Sequence, residues 1–513
     1  MGDCRKHVYI LECTDRDFLI EPDLGGDMAK GRPCLMMVSI DKSDAAPLYQ
    51  QIYRQIAVAI EQGVITAGQK LPSLRGLAQE LGVGRITVEK AYLQLAVEGY
   101  VTASERSGYV VNRLDTDYLQ LPQPDNFTAV AEVVASCSGR GFAGEVTAGR
   151  AARYDFSYFD LQPGSFPKRD WARALTDALY SVSDMRMTGY PIDAQPTQLQ
   201  VQIAAHLART RGVRCAPEQV VVFPGTANAL EGVLQLLPNA PRVFGMEEPG
   251  YDLALSVAQR QGLDVVPLAT DGGAQAYLQA VEEHAPDVVF ATPSHQFPTG
   301  FLMDLSTRID LLRLSEALDF YVIEDDSCNE YRYGTGPVPS LQSLDAGNRV
   351  VYMGNFSKTF TPALRIAFAV LPPELLARLY RDGGLLIPSV NTHIQDALAM
   401  FMADGHLDRH VRRMVASNRE RHDILLECLR RDLGDFARIS GVNSGMHFYV
   451  ELDTRMPQRE LIERAARRDV RVYGTERFWF SRSAPSNALL IGFSSIRAED
   501  IPTGVGELKR AWL

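Results

Sequence analysis

The sequence has no apolar run approaching the eighteen or so residues that span a bilayer, so no membrane helix is expected. Its opening stretch, MGDCRKHVYILECTDRDFLIEPD, is broken by acids and has no apolar h-region, which excludes a secretory signal. Cysteine is scarce: seven residues (4, 13, 34, 137, 215, 328 and 428) in 513, odd in number and scattered. That excludes a disulfide framework and implies reduced thiols in a cytoplasmic protein. Cys4, His7 and Cys13 have no CxxC or HxxxH beside them, so no metal site is expected there. An excess of basic charge is missing too. Lys and Arg number 52 against 63 Asp and Glu, a formal charge of −11, which excludes a general nucleic-acid coat but not a small DNA-reading module.

What is present suits a globular protein of more than one domain. Hydrophobic residues make up 46% and charged residues 22%, enough for a large core. Four zones follow one another, with no internal repeat. Residues 1–36 have neither helical nor strand period, include the turn-rich PDLGGD, and are expected to be a disordered extension; Met36 and Met37 stand just before the first domain. Residues 37–113 are compact and mostly helical. Residues 114–152, with LPQPDN and SCSGRGFAGEVTAGRA, exchange periodic apolar residues for Pro, Gly, Ser and Ala, as linkers do. From 153 to 513, the buried runs VVVF (220–223), DVVFAT (287–292), YVIEDD (321–326) and RVVYMG (349–354) alternate with amphipathic stretches. That pattern indicates a mostly parallel sheet covered by helices on both faces.

In the second zone Leu48, Ile52, Ile56 and Ile60 recur four apart along one helix face. A short helix capped by Ser73 follows, with Leu74, Leu77 and Leu81 inward, and Gly82–Gly84 make the turn. The next helix buries Val88, Tyr92 and Leu95 and exposes Arg85, Thr87 and Lys90, and YVTASERSGYVV closes the zone as two short strands. This is the order of a winged helix-turn-helix, and LPSLRGLAQELGVGRITVEKAYLQLAVEGYVTASERSGYVV resembles the GntR family. The resemblance implies DNA contacts from Arg75, Arg85, Thr87 and Lys90, with Gly108 at the wing tip. The module has eight Lys/Arg against seven Asp/Glu, so one copy would bind weakly through phosphates, and two half-sites read by a homodimer are expected.

In the last zone GNFSKTFTPALR sets Lys358 among Phe356, Phe360 and Leu364, where an unpaired ammonium is costly, with Arg365 seven residues on. YVIEDD ends a strand in two acids, a pattern that also suits a metal or a structural pair; a cation facing Asp325 is the reading taken. VVVFPGTANAL brings Gly225, Thr226 and Ala227 to a helix N-terminus, an anion seat. MEEPGYD supplies Tyr251, able to stack on a ring. A lysine for an imine, an acid for a ring nitrogen, donors for a phosphate and an aromatic face together describe a pyridoxal 5'-phosphate (PLP) site.

EEPGYD, TPSHQFPTG, IEDD and GNFSKTFTPALR, in that order, resemble MocR/GabR-type regulators, whose C-terminal domain is a fold-type I aminotransferase. The expected class is α/β: a winged helix-turn-helix, a large aminotransferase domain and a small C-terminal α+β subdomain. The resemblance implies that Lys358 is the Schiff-base lysine, Asp325 pairs with the pyridine nitrogen, Tyr251 stacks, and Arg365, Thr226 and Asn355 hold the phosphate. It also implies a head-to-tail homodimer bound to a double-stranded DNA operator.

Three positions depart from the pattern. Ser327 stands where relatives place a tyrosine that reaches the cofactor's O3', and a serine is too short for that. Leu253 and Leu490 stand where arginines would clamp a substrate carboxylate, with Arg477, Arg482 and Arg497 as possible substitutes. Transamination needs that clamp for orientation. The expected function is therefore a PLP-dependent transcriptional regulator that senses PLP, an amine or an amino-acid-like effector, any transaminase activity being residual; an active aminotransferase with an accessory DNA-binding domain is the alternative.

Overall fold

The computed structural model describes residues 7–11, 36–42, 44, 46–104, 108–113, 152–181, 196–238, 241–334, 336, 338–381 and 390–513. The chain divides into two compact units, Met1–Gly149 and Arg150–Leu513. Most of the expected linker, with Cys4 and Cys13, lies outside the described residues.

In the first unit, helix α1 (Leu48–Glu61) buries Ile52, Ile56 and Ile60 against helix α3 (Arg85–Val97), which contributes Val88, Tyr92 and Leu95. Between them α2 (Leu74–Leu81) starts at Ser73, whose side chain accepts from the Gly76 N–H at 3.1 Å, and stops at Gly82 in the left-handed region (φ 58°). Tyr92 donates its hydroxyl to the Pro72 carbonyl at 3.1 Å, tying α3 to the start of α2. The wing is the antiparallel pair Val101–Ser104 and Gly108–Val111.

Within the stretch 1–36, which shows no strand period in the sequence, His7–Leu11 forms a strand antiparallel to Met36–Ile40, residue for residue; residues 1–6 and 12–35 lie outside the described residues. Alternation over five residues is too short to stand out among the acids around it.

The second unit is built on a seven-stranded sheet. Its strands in chain order are β1 (Val220–Phe223), β2 (Val243–Glu248), β3 (Asp264–Ala269), β4 (Val288–Ala291), β5 (Tyr321–Asp325), β6 (Val350–Asn355) and β7 (Ala367–Val370). Their spatial order is β1-β7-β6-β5-β4-β2-β3. All pairings are parallel except those of β7, which runs against both its neighbours. Alternation along the strands divides the core into two faces. Tyr352 joins Trp171, Ile203 and Phe401 on one face, while Val351 and Met353 join Leu230, Val257 and Phe290 on the other. A four-stranded antiparallel sheet (Ala437–Ser440, His447–Leu452, Ala488–Gly492 and Tyr473–Gly474, in spatial order) forms the smaller C-terminal layer under the helix Ile501–Trp512. No helix among the described residues is long and apolar enough to cross a membrane.

Leu95 is fully buried between three helices, so Leu95→Ala leaves a cavity costing roughly 2–5 kcal/mol. Calorimetry of the intact chain is expected to show an earlier transition for the first unit and an unmoved one for the second.

Candidate cofactor site and DNA-reading helix

In an open parallel sheet, ligands gather at the carboxyl ends of the strands, because the loops there can vary without disturbing the core. The residues singled out in the sequence converge on that edge. Asp325 is the last residue of β5 and Asn355 the last of β6, with Lys358 in the turn that follows. Gly225 caps α4 (Thr226–Leu236) after β1, and Tyr251 caps α5 (Asp252–Arg260) after β2.

A chain of side-chain hydrogen bonds links three of these elements. Ser327 donates to the Asp325 carboxylate, Asn355 Nδ2 donates to Ser327 Oγ at 2.7 Å, and the same amide lies 3.3 Å from Thr226 Oγ1. Ser327, too short for the reach expected of a phenol at this place, holds the carboxylate in position. Burial is the largest influence on Asp325 and pushes its carboxyl up to about 6, against the lowering effect of Ser327. A buried acid so placed is stabilised in its charged form by a cation facing it.

Lys358 is likewise enclosed, and burial lowers its pKa. Its Nζ donates to the Phe159 carbonyl at 2.8 Å, and its own carbonyl accepts from the Tyr331 hydroxyl at 2.7 Å. The amine is thus held by one backbone carbonyl, and the Tyr331 hydroxyl fixes the lysine's main chain. Cys328, whose thiol burial raises to about 12, lies close enough to feel the charges of both Lys358 and Asp325. Tyr251 is half-buried; desolvation first, and then the charge of Asp325, raises the pKa of its hydroxyl, and its ring meets Phe297 edge-on at 5.7 Å.

Arg365 takes a left-handed backbone (φ 53°) rare for a residue with a side chain. Its guanidinium lies against Gly225, so closely that a Cβ there would collide with it. Gly225 itself has φ 105°, open to glycine alone. An arginine is thereby set against the positive end of α4, with no acid paired to it among the described residues. Two like charges are brought together, an arrangement an anion would relieve. Ala227, the second residue of α4, packs partly against the core.

Beneath Asp325 lies a second buried layer. Arg211 Nε donates to Asp326 Oδ2 at 2.5 Å, its other nitrogens donate to Ser294 Oγ and the Val338 carbonyl at 2.8 Å, and Tyr352 donates to the same carboxylate oxygen at 2.8 Å. Asp325 closes β5 and is held by Ser327, while Asp326, the residue after it, is bound to Arg211 and Tyr352.

Four residues around the lysine were missed in the sequence: Tyr158, Phe159, Phe297 and His447. Tyr158 packs edge-on against Phe159, His447 and Tyr473, and lies 6.0 Å from Phe297. His447 donates Nε2 to the Pro298 carbonyl at 2.8 Å, and burial, followed by the charge of Lys358, pushes its pKa down to about 4. They come from segments far apart in the chain, so no local pattern announces them. Leu490 is buried among Tyr158, Tyr449 and Phe478, which makes the place expected for a clamp apolar. Among the substitutes, Arg497 is exposed and paired with Glu499 and Asp500, and Arg482 with Asp271 and Glu248. Arg477 alone of the three reaches Tyr158, beside Asp252 at 3.4 Å.

In the first unit, Arg75, Arg85 and Lys90 are exposed along α2 and the N-terminal half of α3, whereas Thr87 is half-buried. Gly108 opens the second wing strand with φ 80° and open space where a side chain would go.

The chain matches the family of bacterial regulatory proteins, gntR family, over residues 48–111, and aminotransferase class I and II over residues 159–480. It is 34% identical to the HTH-type transcriptional regulator YdeL of Bacillus subtilis, over 91% of this chain and 97% of that one. It is also 34% identical to the probable rhizopine catabolism regulatory protein MocR of Rhizobium meliloti, over 93% and 96%. Among solved structures it resembles the α-aminoadipate aminotransferase LysN of Thermus thermophilus, solved with N-(5'-phosphopyridoxyl)-L-leucine (TM-score 0.62, 26% identity, 72% of this chain and 95% of that one).

Arg211→Met would strand the Asp326 carboxylate in the interior, at roughly 3–5 kcal/mol of destabilisation. Denaturant titration is expected to show most of that loss recovered when Asp326→Leu is added.

Proposed function

The chain belongs to the MocR-type HTH transcriptional regulators, a gntR-family DNA-binding unit joined to an aminotransferase class I and II domain, and from that premise we propose that it is a PLP-dependent regulator whose second unit senses the cofactor or an amine. The observation that carries the cofactor assignment is Arg365, without an acid partner among the described residues, set against the N-terminus of α4, together with the buried Asp325 and with Lys358, whose amine donates to a backbone carbonyl. In this reading Arg365, Gly225, Thr226, Ala227 and Asn355 hold the phosphate, Tyr251 covers the ring, Asp325 keeps the ring nitrogen protonated and Lys358 forms the covalent link. PLP, when bound, supplies an electrophilic carbon for amines. The chain's own part is to orient: Ser327 and Asn355 fix the carboxylate, Phe159 and Tyr331 fix the lysine, and Leu490 with its aromatic neighbours keeps water from the amine side.

A sensor must favour one arrangement of the DNA-reading unit when its ligand is bound. A homodimer reading two half-sites through Arg75, Arg85, Thr87, Lys90 and the wing at Gly108 completes the proposal. Turnover as an aminotransferase is the second reading, favoured by the intact lysine and aspartate and opposed by Leu253 and Leu490. It predicts rapid conversion of bound PLP to pyridoxamine phosphate by a common amino acid, whereas the regulator reading predicts slow or absent conversion across a broad amine panel.

Footprinting of purified protein on the DNA upstream of its own gene, with and without PLP, tests the regulator directly. Protection of paired half-sites that changes with PLP is expected, and no protection in either condition sinks the proposal. For the site, the absorbance band of lysine-linked PLP is expected to vanish in Lys358→Ala and to weaken in Gly225→Ala, where the added methyl displaces Arg365.

The pH dependence follows from Asp325. Its folded pKa of about 6 lies above the unfolded value, so the proton it carries stabilises the ligand-free fold at low pH. That contribution is lost as pH rises through about 6, to a limit of about 3 kcal/mol at 1.36 kcal/mol per pKa unit. A protonated ring nitrogen restores it, so PLP is expected to raise Tm more at pH 7.5 than at pH 5. In Asp325→Asn that pH difference should disappear.

A further inference from the structure

Two cavities, of about 400 and 390 Å³, lie side by side along the first turns of the long helix His406–Leu433 and share Asp170 and Arg413. Five cations line them. Lys168 and Arg169 open the helix Lys168–Ser181, while Arg409, Arg412 and Arg413 stand at i, i+3 and i+4 on one face of the long helix. All five are exposed.

A cluster of this kind is out of keeping with the chain's composition, in which acids outnumber bases by 63 to 52. Nearby cations show the usual outcome: Arg173 pairs with Asp177 and Arg209 with Asp408. Around the groove, Lys168, Arg169, Arg412 and Arg413 have no acid partner among the described residues, and Arg409 touches only His406. Of the acids in reach, Asp408 is paired with Arg209 and lies 3.5 Å from His206, and Asp170, which lines both cavities, lies 3.7 Å from His406 and leaves the five cations in excess. Like charges spaced three and four apart destabilise a helix by a few tenths of a kcal/mol per pair, so the arrangement has a cost that a ligand would offset. On the floor of the groove His410 is 1% exposed, and its Nε2 has no hydrogen-bond partner. Burial, with Arg413 beside it, pushes its pKa down to about 4, so it adds no charge at neutral pH.

We infer that this groove is a phosphate-backbone contact, through which the second unit itself grips duplex DNA without reading sequence. The inference rests on the reading that the chain binds duplex DNA through its helix-turn-helix. Charge complementarity selects the occupant. Residues 37–113 carry eight Lys/Arg against seven Asp/Glu, so the DNA-reading unit brings almost no net charge to a polyanion. Duplex binding draws much of its affinity from phosphates neutralised and counterions released, and the unpaired groove cations supply what that unit lacks.

The test uses the full chain on the DNA it protects, with affinity measured across a salt series. Each phosphate contact contributes about 0.9 to the slope of log K against log salt. Arg412→Ser/Arg413→Ser is expected to lower that slope by about 1.8 per protomer, with sequence preference and thermal stability unchanged. Lysine at both positions should keep it. Arg260→Ser/Arg430→Ser removes two other exposed arginines and should leave the slope near wild type. A wild-type slope in the groove variant, or an equal drop in the control pair, overturns the inference. So does stabilisation by inorganic phosphate, or binding of an acidic peptide, that the groove variant loses while its DNA slope stays intact. If the wild-type protein protects no DNA at any salt, it is the regulator reading that has failed, and the two failures are distinct.

Discussion

A carboxylate buried at the end of a central strand sets the terms for the rest of the second unit. Asp325 has few ways to carry charge in such a place: a hydrogen-bond donor, a counter-cation, or a proton taken up from solvent. The fold supplies the first through Ser327, which is braced in turn by Asn355 and Thr226, so the acid's position is tied to strands β5 and β6 and to helix α4 together. Its neighbour Asp326 is held separately, Arg211 and Tyr352 both donating to its Oδ2. The strand end therefore carries two neighbouring acids held by different partners, Asp325 by a hydroxyl and Asp326 by a guanidinium and a phenol.

Much of this was legible in the sequence because the signals are local. Strand, turn and helix N-terminus around Gly225, the lysine and arginine seven apart in GNFSKTFTPALR, and the acids closing YVIEDD each declare themselves within a dozen residues. The three-helix unit was legible for the same reason, since Ile52, Ile56 and Ile60 repeat at helical spacing. What escaped depends on distance in the chain. Phe159 and His447 meet Lys358 only after the sheet has formed, and nothing in FSYFD or GMHFYV marks them as neighbours of a lysine nearly two hundred or ninety residues away. Strand His7–Leu11 escaped for another reason: paired with Met36–Ile40, it is a strand only in company.

The departures from the aminotransferase pattern acquire a physical sense once placed. Ser327 loses the reach of a phenol and gains a hold on the carboxylate. Leu490 turns the clamp position into part of an aromatic wall with Tyr158 and Phe478. On the reading proposed above, both changes keep the machinery for holding a charged ring and weaken the machinery for orienting an amino acid for turnover. A protein that binds tightly and reacts slowly has a long-lived bound state, which is what a reporter of concentration needs and a catalyst does not.

Arg365, held in a left-handed backbone against the positive end of α4, has a further consequence on the reading proposed above. Until an anion arrives, like charges confront one another, and the release of that repulsion on binding is shared with folding. A ligand that binds only the folded chain stabilises it by RT ln(1 + [L]/Kd), about 2.7 kcal/mol at a hundredfold excess over Kd. Since one or two kcal/mol can change a protein's abundance in the cell several-fold, the number of surviving copies would rise and fall with cofactor supply. A starved cell would then hold fewer regulators as well as emptier ones, so dosage and occupancy would carry the same message.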